Sequence, residues 1–277
     1  MDATRTLSER NIGTSGGALH LYEWMPSERS GTEAVALLLH GGPGLWFNLD
    51  DLVPLLPPTH TVIGYDQRGC GHSTGTGPYS LDQQVADVDT VRAASGAETV
   101  CILGHSAGAN LALAYAMTFP HRVRSLTYLS GTGIGDWRPD YRSERERRLG
   151  PERLARLREL GQLATRNPAQ EREFRLLSWC TDYSDVETGL ALAEHDADAT
   201  FAINVDANKS IGDPDFSQLS AIEVPIAVVH GEADPRPYWS AKMLADALPS
   251  ATFTLIPNAG HNPWRENPDA TRAALLI

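Results

Sequence analysis

Short apolar runs and longer amphipathic stretches alternate along the first half of the chain. Apolar runs at 6–12, 18–24 and 34–40 predict β-strands, the third free of polar interruption and so buried on both faces. A short helix at 48–56 is stopped by Pro57 and Pro58, and a further strand occupies 61–65. Ser80 and Gln83 form a capping-box pair that opens a helix whose apolar stripe is Leu81, Val85, Val88 and Val91. A strand at 98–103 runs into a helical stretch at 109–119, and another strand follows at 123–129. From about 134 to 216 the rhythm changes to helices without buried strands, with arginine and acid on most faces of 143–160. It resumes with a strand at 224–230, a helix at 239–248, a strand at 251–256 and a last helix after Asn267 and Pro268. Strands alternating with helices predict an α/β fold with a doubly wound, mostly parallel sheet, and such sheets bind ligands at the carboxyl ends of their strands. The all-helical stretch 134–216 is then a cap inserted into a core formed by 1–133 and 217–277.

The 277 residues suffice for one large domain with an insert, and 42% hydrophobic with 21% charged residues is a globular composition. A formal net charge of −12 argues against binding nucleic acid or an anionic membrane surface. The stretch 1–5 has no apolar run, and the longest aliphatic run is the six residues 34–39, so neither a signal peptide nor a spanning helix is expected. Cys70, Cys101 and Cys180 are odd in number and lack metal-ligand spacing, which fits a reduced, cytoplasmic protein without a metal.

Candidate chemistry concentrates on the sequence Gly104-His105-Ser106-Ala107-Gly108, which lies between a predicted strand and a predicted helix. Glycines flanking a serine there allow the sharp strand-to-helix turn of a nucleophile elbow, with Ser106 exposed at the end of a central strand. A serine hydroxyl attacks only when a base takes its proton and a third group orients that base. Among nine histidines, His261 in Asn258-Ala259-Gly260-His261 follows the last strand on the same sheet edge as Ser106 and is the natural base. His105 adjoins the serine and should point away from it, while His40, His72 and His230 fit structural roles. After the preceding strand, His230-Gly231-Glu232-Ala233-Asp234 offers two carboxylates; Asp234 has the Gly-x-x-Asp spacing and ranks ahead of Glu232. The glycine-rich His40-Gly41-Gly42-Pro43-Gly44 follows a buried strand, where backbone N–H groups can face a ligand.

These residues, in the order Ser, Asp, His, make the chain resemble an α/β-hydrolase along essentially all of its core. Within that superfamily His-Gly-Gly-Pro-Gly at 40–44 and Asp-Gln-Arg-Gly-x-Gly-x-Ser at 66–73 are similar to the proline iminopeptidase-like group. The resemblance implies Ser106 as nucleophile, Asp234 as acid and His261 as base, with the N–H groups of Gly42 and Ala107 as an oxyanion hole. It implies a cofactor-independent hydrolase of small-molecule or short peptide substrates. Asp66 and Arg68 would hold their loop by an ion pair. The elbow here is Gly-His-Ser-Ala-Gly, whereas the iminopeptidases usually carry Gly-Gly-Ser-Trp-Gly; the form seen here is widespread among esterases and thioesterases. Substrates therefore stay open between amides, esters and thioesters, with a thioesterase, a lactone-forming enzyme, a lyase or perhydrolase, and a non-turnover receptor as alternatives. Iminopeptidases hold the substrate amine with cap carboxylates, and Asp182, Asp185, Glu187, Glu194, Asp196 and Asp198 form an acidic stretch that could do so or could simply face solvent. Trp179, Tyr183 and Phe201 could line an apolar pocket, and Glu187 and Glu194 join them as candidate substrate contacts.

Overall fold

The computed structural model describes residues 5–28, 33–210 and 212–277; the expectation for the N-terminal stretch concerns residues 1–4 and lies outside them. Eight strands form one sheet: β1 (Arg5–Thr14), β2 (Gly17–Pro26), β3 (Val35–Leu39), β4 (Thr61–Tyr65), β5 (Val100–His105), β6 (Val123–Leu129), β7 (Ile226–Gly231) and β8 (Ala251–Ile256). Their order is β1-β2-β4-β3-β5-β6-β7-β8. β1 and β2 form an antiparallel hairpin, β2 pairs antiparallel with β4, and every other pairing is parallel. Because β3 and β5 are neighbours near the middle, the loops after both strands open at the same place on the carboxyl edge.

The period-two pleat divides the continuous apolar runs between the two faces of the sheet. On one face Leu37, Leu39, Ile63, Ile102, Leu126 and Val228 pack against α1 (Leu81–Ala94), α2 (Ala107–Thr118) and α8 (Tyr238–Ala247). On the other, Ala36, Leu38, Val62, Leu103 and Val229 meet Leu52, Val53 and Trp264, with the last helix, Pro268–Ala274, alongside. α1 starts where expected: the Ser80 side chain accepts the Gln83 N–H, although the Gln83 amide turns to Asp87 instead of closing the box. The helix expected at 48–56 is a 3₁₀ turn, Asp50–Leu55, with Pro54 inside it; proline lacks the N–H that an α-helical turn would use there.

Between β6 and β7 the described chain is helical: α3 (Arg138–Gln162), α4 (Pro168–Trp179), α5 (Val186–Leu192), α6 (Glu194–Ala197) and α7 (Val205–Ser210). α3 breaks at Gly150, whose φ of 68° suits a residue without Cβ, and Pro151 starts its second half. This helical stretch has a small core of its own, with Leu149, Leu157, Leu160, Leu177 and Cys180 packed together. Arg172, Arg153 and Arg156 pair with acids across its outer face. No helix among the described residues is long and apolar enough to cross a membrane, and the three cysteines are buried and free.

Candidate active site

β5 runs two residues further than the sequence pattern suggests, to His105, and delivers Ser106 to the start of α2. Ser106 has φ 56° and ψ −120°, a conformation L-residues adopt only under constraint. Its N–H donates to Leu129 O at 2.9 Å, and the close approach of flanking backbones enforces the turn. A Cβ on Gly104 would lie 2.0 Å from Gly108 O, and one on Gly108 would lie 2.2 Å from Leu39 O. Gly41 is equally confined, since its Cβ would touch the Ser106 Cβ at 2.7 Å. The N–H groups of Gly42 and Ala107 donate to no acceptor among the described residues.

His261 follows β8 and donates from Nδ1 to Asp234 Oδ2 at 2.7 Å, which leaves Nε2 as the unprotonated nitrogen when the ring is neutral. Its N–H bonds Asp182 O at 2.6 Å, and its carbonyl accepts the His105 Nε2–H at 3.0 Å. Asp234 is buried, its other oxygen accepting the Arg236 N–H at 2.9 Å, with Arg236 Nη1 3.4 Å away. Burial alone would raise its pKa; the opposing pull of His261 and His230, joined by Arg236, outweighs this and holds the carboxyl well below the usual range. Glu232, the other carboxylate after β7, is exposed. His105 and His230 are buried and held neutral mainly by desolvation, which lowers both pKa values. His105 does not reach toward the serine: it stacks edge-on against Trp264, with ring centroids 4.8 Å apart.

A cavity of about 570 Å³ opens above these groups and is lined by Gly41, Gly42, Ser106 and His261 from below. From above it is lined by Tyr141 and Arg145 of α3, by Ser178 and Trp179 of α4, and by Asp182, Tyr183 and Asp196. A second cavity, of about 360 Å³, shares Ser106, Gly42, Asn208 and Arg236 with the first, so the serine stands at their junction. Trp179 and Tyr183 reach the larger cavity; Phe201 is not among the residues lining it, being packed between Trp46 and His72 at centroid distances of 5.8 and 4.8 Å. Glu187 and Glu194 do not reach it either. Both are exposed and pair with Arg153 and Arg172, while Asp198 pairs with Arg172 and Asp185 caps α5. Only Asp182 and Asp196 of the acidic stretch face inward, and each meets an arginine: Arg236 at 2.8 Å and Arg265 at 2.6 Å.

The loop after β4 departs from expectation. Asp66 does not pair with Arg68: its carboxylate accepts the N–H groups of Phe47 and His72 and the Tyr22 hydroxyl. Arg68 turns the other way and makes a fully buried two-pronged pair with Asp87 of α1, at 2.6 and 2.9 Å. Asn204 then ties this loop to the glycine-rich one, its backbone N–H donating to Gly44 O and its Nδ2 to Gly69 O. The arginines that line the cavity, or hold the segments that do, escaped the sequence reading. Arg236, two residues past Asp234, could have been found as the nearest cation to the acid; Arg145, Arg148 and Arg265 carry no local signal. No group of three His, Cys, Asp or Glu side chains among the described residues is arranged to hold a metal ion.

A parallel sheet with a tight serine turn at its centre and a His–Asp pair on the same edge is the architecture of the α/β-hydrolases. The chain belongs to the alpha/beta hydrolase fold family, whose model matches residues 35–268. It is 35% identical to the proline iminopeptidase of Heyndrickxia coagulans over 127 residues, a stretch covering 44% of this chain and 43% of that relative, so less than half of the relative is matched. A protein of Caulobacter sp. strain K31, RutD, provisionally named a carbamate hydrolase, is 28% identical over 95% of this chain and 96% of its own. Among solved structures, the proline iminopeptidase of Mycobacterium smegmatis superposes with a TM-score of 0.70 at 21% identity, covering 96% of this chain and 95% of that one.

Proposed function

We propose that the protein is a serine hydrolase that cleaves a small amide, ester or thioester through an acyl-enzyme. The observation that carries this reading is the His261 Nδ1–Asp234 Oδ2 hydrogen bond at the rim of the cavity that holds Ser106 at its positive-φ turn. In the first half-reaction His261 Nε2 takes the Ser106 proton as Oγ bonds to the carbonyl carbon. The bond to the leaving nitrogen, oxygen or sulfur then breaks, and that atom takes the proton back from His261. Water repeats the sequence: it loses a proton to His261, bonds to the acyl carbon, and releases Ser106, which regains its proton. Asp234 fixes the tautomer and stabilises the imidazolium. The unoccupied N–H donors of Gly42 and Ala107 are suited to the oxyanion.

The relatives named iminopeptidases and carbamate hydrolase are compatible with amide chemistry, but an aminopeptidase needs an unneutralised carboxylate for the substrate amine, and Asp182 and Asp196 are both paired. The reading therefore favours a substrate without a free amine at that end. The test is a comparison of wild type and Ser106→Ala on 4-nitrophenyl butyrate and on prolyl-4-nitroanilide, with a fluorophosphonate probe as a second readout. Ester turnover and labelling, both lost in the variant, are expected. Labelling or turnover that survives in the variant would overturn the assignment of the nucleophile.

A further inference from the structure

The charges around the larger cavity do not balance. Asp182 is paired with Arg236, which also reaches Asp234, and Asp196 is paired with Arg265, which also holds Asp51 at 2.6 Å. Glu144, one residue before Arg145, turns away to Arg147 and Arg148. That leaves Arg145, which lines the cavity but has no carboxylate within ion-pair distance among the described residues. Among the described residues its one hydrogen bond is a long contact from Nη2 to Ser178 O at 3.5 Å, and its enclosed Nε has no acceptor. A guanidinium offers five N–H donors in a planar fork and stays charged at any physiological pH, so one left this poorly satisfied is short of an anion. Its neighbours sharpen the choice of anion. Arg236 is shared by Asp182 and Asp234, and Arg265 by Asp196 and Asp51, so Arg145 is the cation left to offset a ligand's charge, which suits a single carboxylate; a doubly charged phosphate would add negative charge beside four carboxylates.

We propose that Arg145 is the receptor for a carboxylate on the substrate, so that the hydrolysed compound is an ester, amide or thioester bearing a separate acid group. This rests on the serine hydrolase reading and narrows its substrate class. The test compares 4-nitrophenyl hemisuccinate, hemiglutarate and hemiadipate with their methyl esters, which keep leaving group and chain length but lose the charge. For at least one chain length, kcat/KM should favour the free acid by about 30-fold, the range expected for a charge-assisted pair. Arg145→Met should abolish that preference by slowing the acid, with the methyl ester changed by less than about threefold, and Arg145→Lys should restore part of it. A wild type indifferent to the charge at all three lengths, or an Arg145→Met protein that loses both substrates equally, overturns the proposal. Calorimetric titration of Ser106→Ala with glutaric acid monoanilide and its methyl ester separates the two readings. Acid-selective binding that Arg145→Met removes, without turnover in the wild type, would sustain this site and sink the hydrolase reading. Ser106-dependent turnover with no acid preference in kinetics or binding would do the reverse.

Discussion

Replacing Asp234 with asparagine tests the site most sharply, because the surrounding donors dictate how the new amide must turn. The Arg236 backbone N–H lies 2.9 Å from one carboxylate oxygen and Arg236 Nη1 lies 3.4 Å from the same atom; both are donors, so an asparagine would keep its carbonyl there. Its NH₂ group is then aimed at His261 Nδ1, 2.7 Å from the atom it replaces. Nδ1 would have to accept, which moves the ring proton to Nε2, and a protonated Nε2 cannot take a proton from Ser106. The wrong tautomer costs about 10⁴ in turnover in the serine-protease case, or about 5.4 kcal/mol on the barrier. The same loss is expected in the kcat of Asp234→Asn on 4-nitrophenyl butyrate, measured beside Glu232→Gln, whose exposed parent side chain predicts a change of less than about twofold. Circular dichroism should find the Asp234→Asn protein folded, since Arg236 keeps Asp182 as its counter-charge. Turnover within about tenfold of wild type in that folded variant would refute the tautomer argument. A matching loss in Glu232→Gln would move the acid to Glu232.

Two further outcomes follow from packing and protonation. Gly108→Ala forces a Cβ to within 2.2 Å of Leu39 O and 2.5 Å of His40 O. Overpacking of backbone on backbone should cost about 3 kcal/mol or more and lower the melting temperature by about 6 °C, while Gly13→Ala, with nothing within 4 Å, should leave it unchanged. His40, His105 and His230 are buried with lowered pKa values, chiefly by desolvation, so they are neutral when folded yet bind protons below about pH 6.5 when unfolded. Their stabilisation is complete above that value and declines as pH falls, at up to about 4 kcal/mol per pH unit for three protons. Asp234, whose pKa is depressed, adds a second loss below about pH 4. Calorimetric melting between pH 8 and pH 5 should show the decline beginning near 6.5, and a flat melting temperature across that range would contradict the burial argument.

How much of this was legible in the sequence depends on whether the determinant was local. The strands of the sheet could be read because buried parallel strands must be apolar on both faces, as in 35–39 and 226–231, and the turn at Ser106 because only glycine tolerates the backbone contacts at 104 and 108. The pairing of His261 with Asp234 followed from chain order along the carboxyl edge. Charge partners were not legible. Asp66 and Arg68 are two residues apart and of opposite sign, yet they point to different neighbours, because Asp66 is consumed by nearby N–H groups and Arg68 reaches Asp87, nineteen positions away. The acidic stretch of the cap reads as one block of sequence, but the helices it lies on turn Glu187, Glu194 and Asp198 outward and Asp182 and Asp196 inward. Arginine stems span distances that no local pattern encodes.

The cap is therefore more than a cover, since it supplies backbone and charge to the groups beneath it. The carbonyl of Asp182 accepts the His261 N–H, while the carboxylate of the same residue meets the arginine that also faces Asp234. Arg148 binds the carbonyls of Thr181 and Tyr183 in the cap and of Ala233 in the core, next to the acid. Glu266 accepts the N–H groups of Gly260 and of Ser184, clamping the histidine loop to the same cap segment from the other side. A displacement of residues 180–184 would strip hydrogen bonds from both sides of the His261–Asp234 pair at once, so cap position and the geometry of the pair are not independent variables. The same segment lines the cavity through Asp182 and Tyr183, which places cavity lining and the orientation of His261 on one short turn of chain. A change in cap sequence that alters which substrate fits must then also preserve these bonds, and residues 181–183 are where the two demands meet.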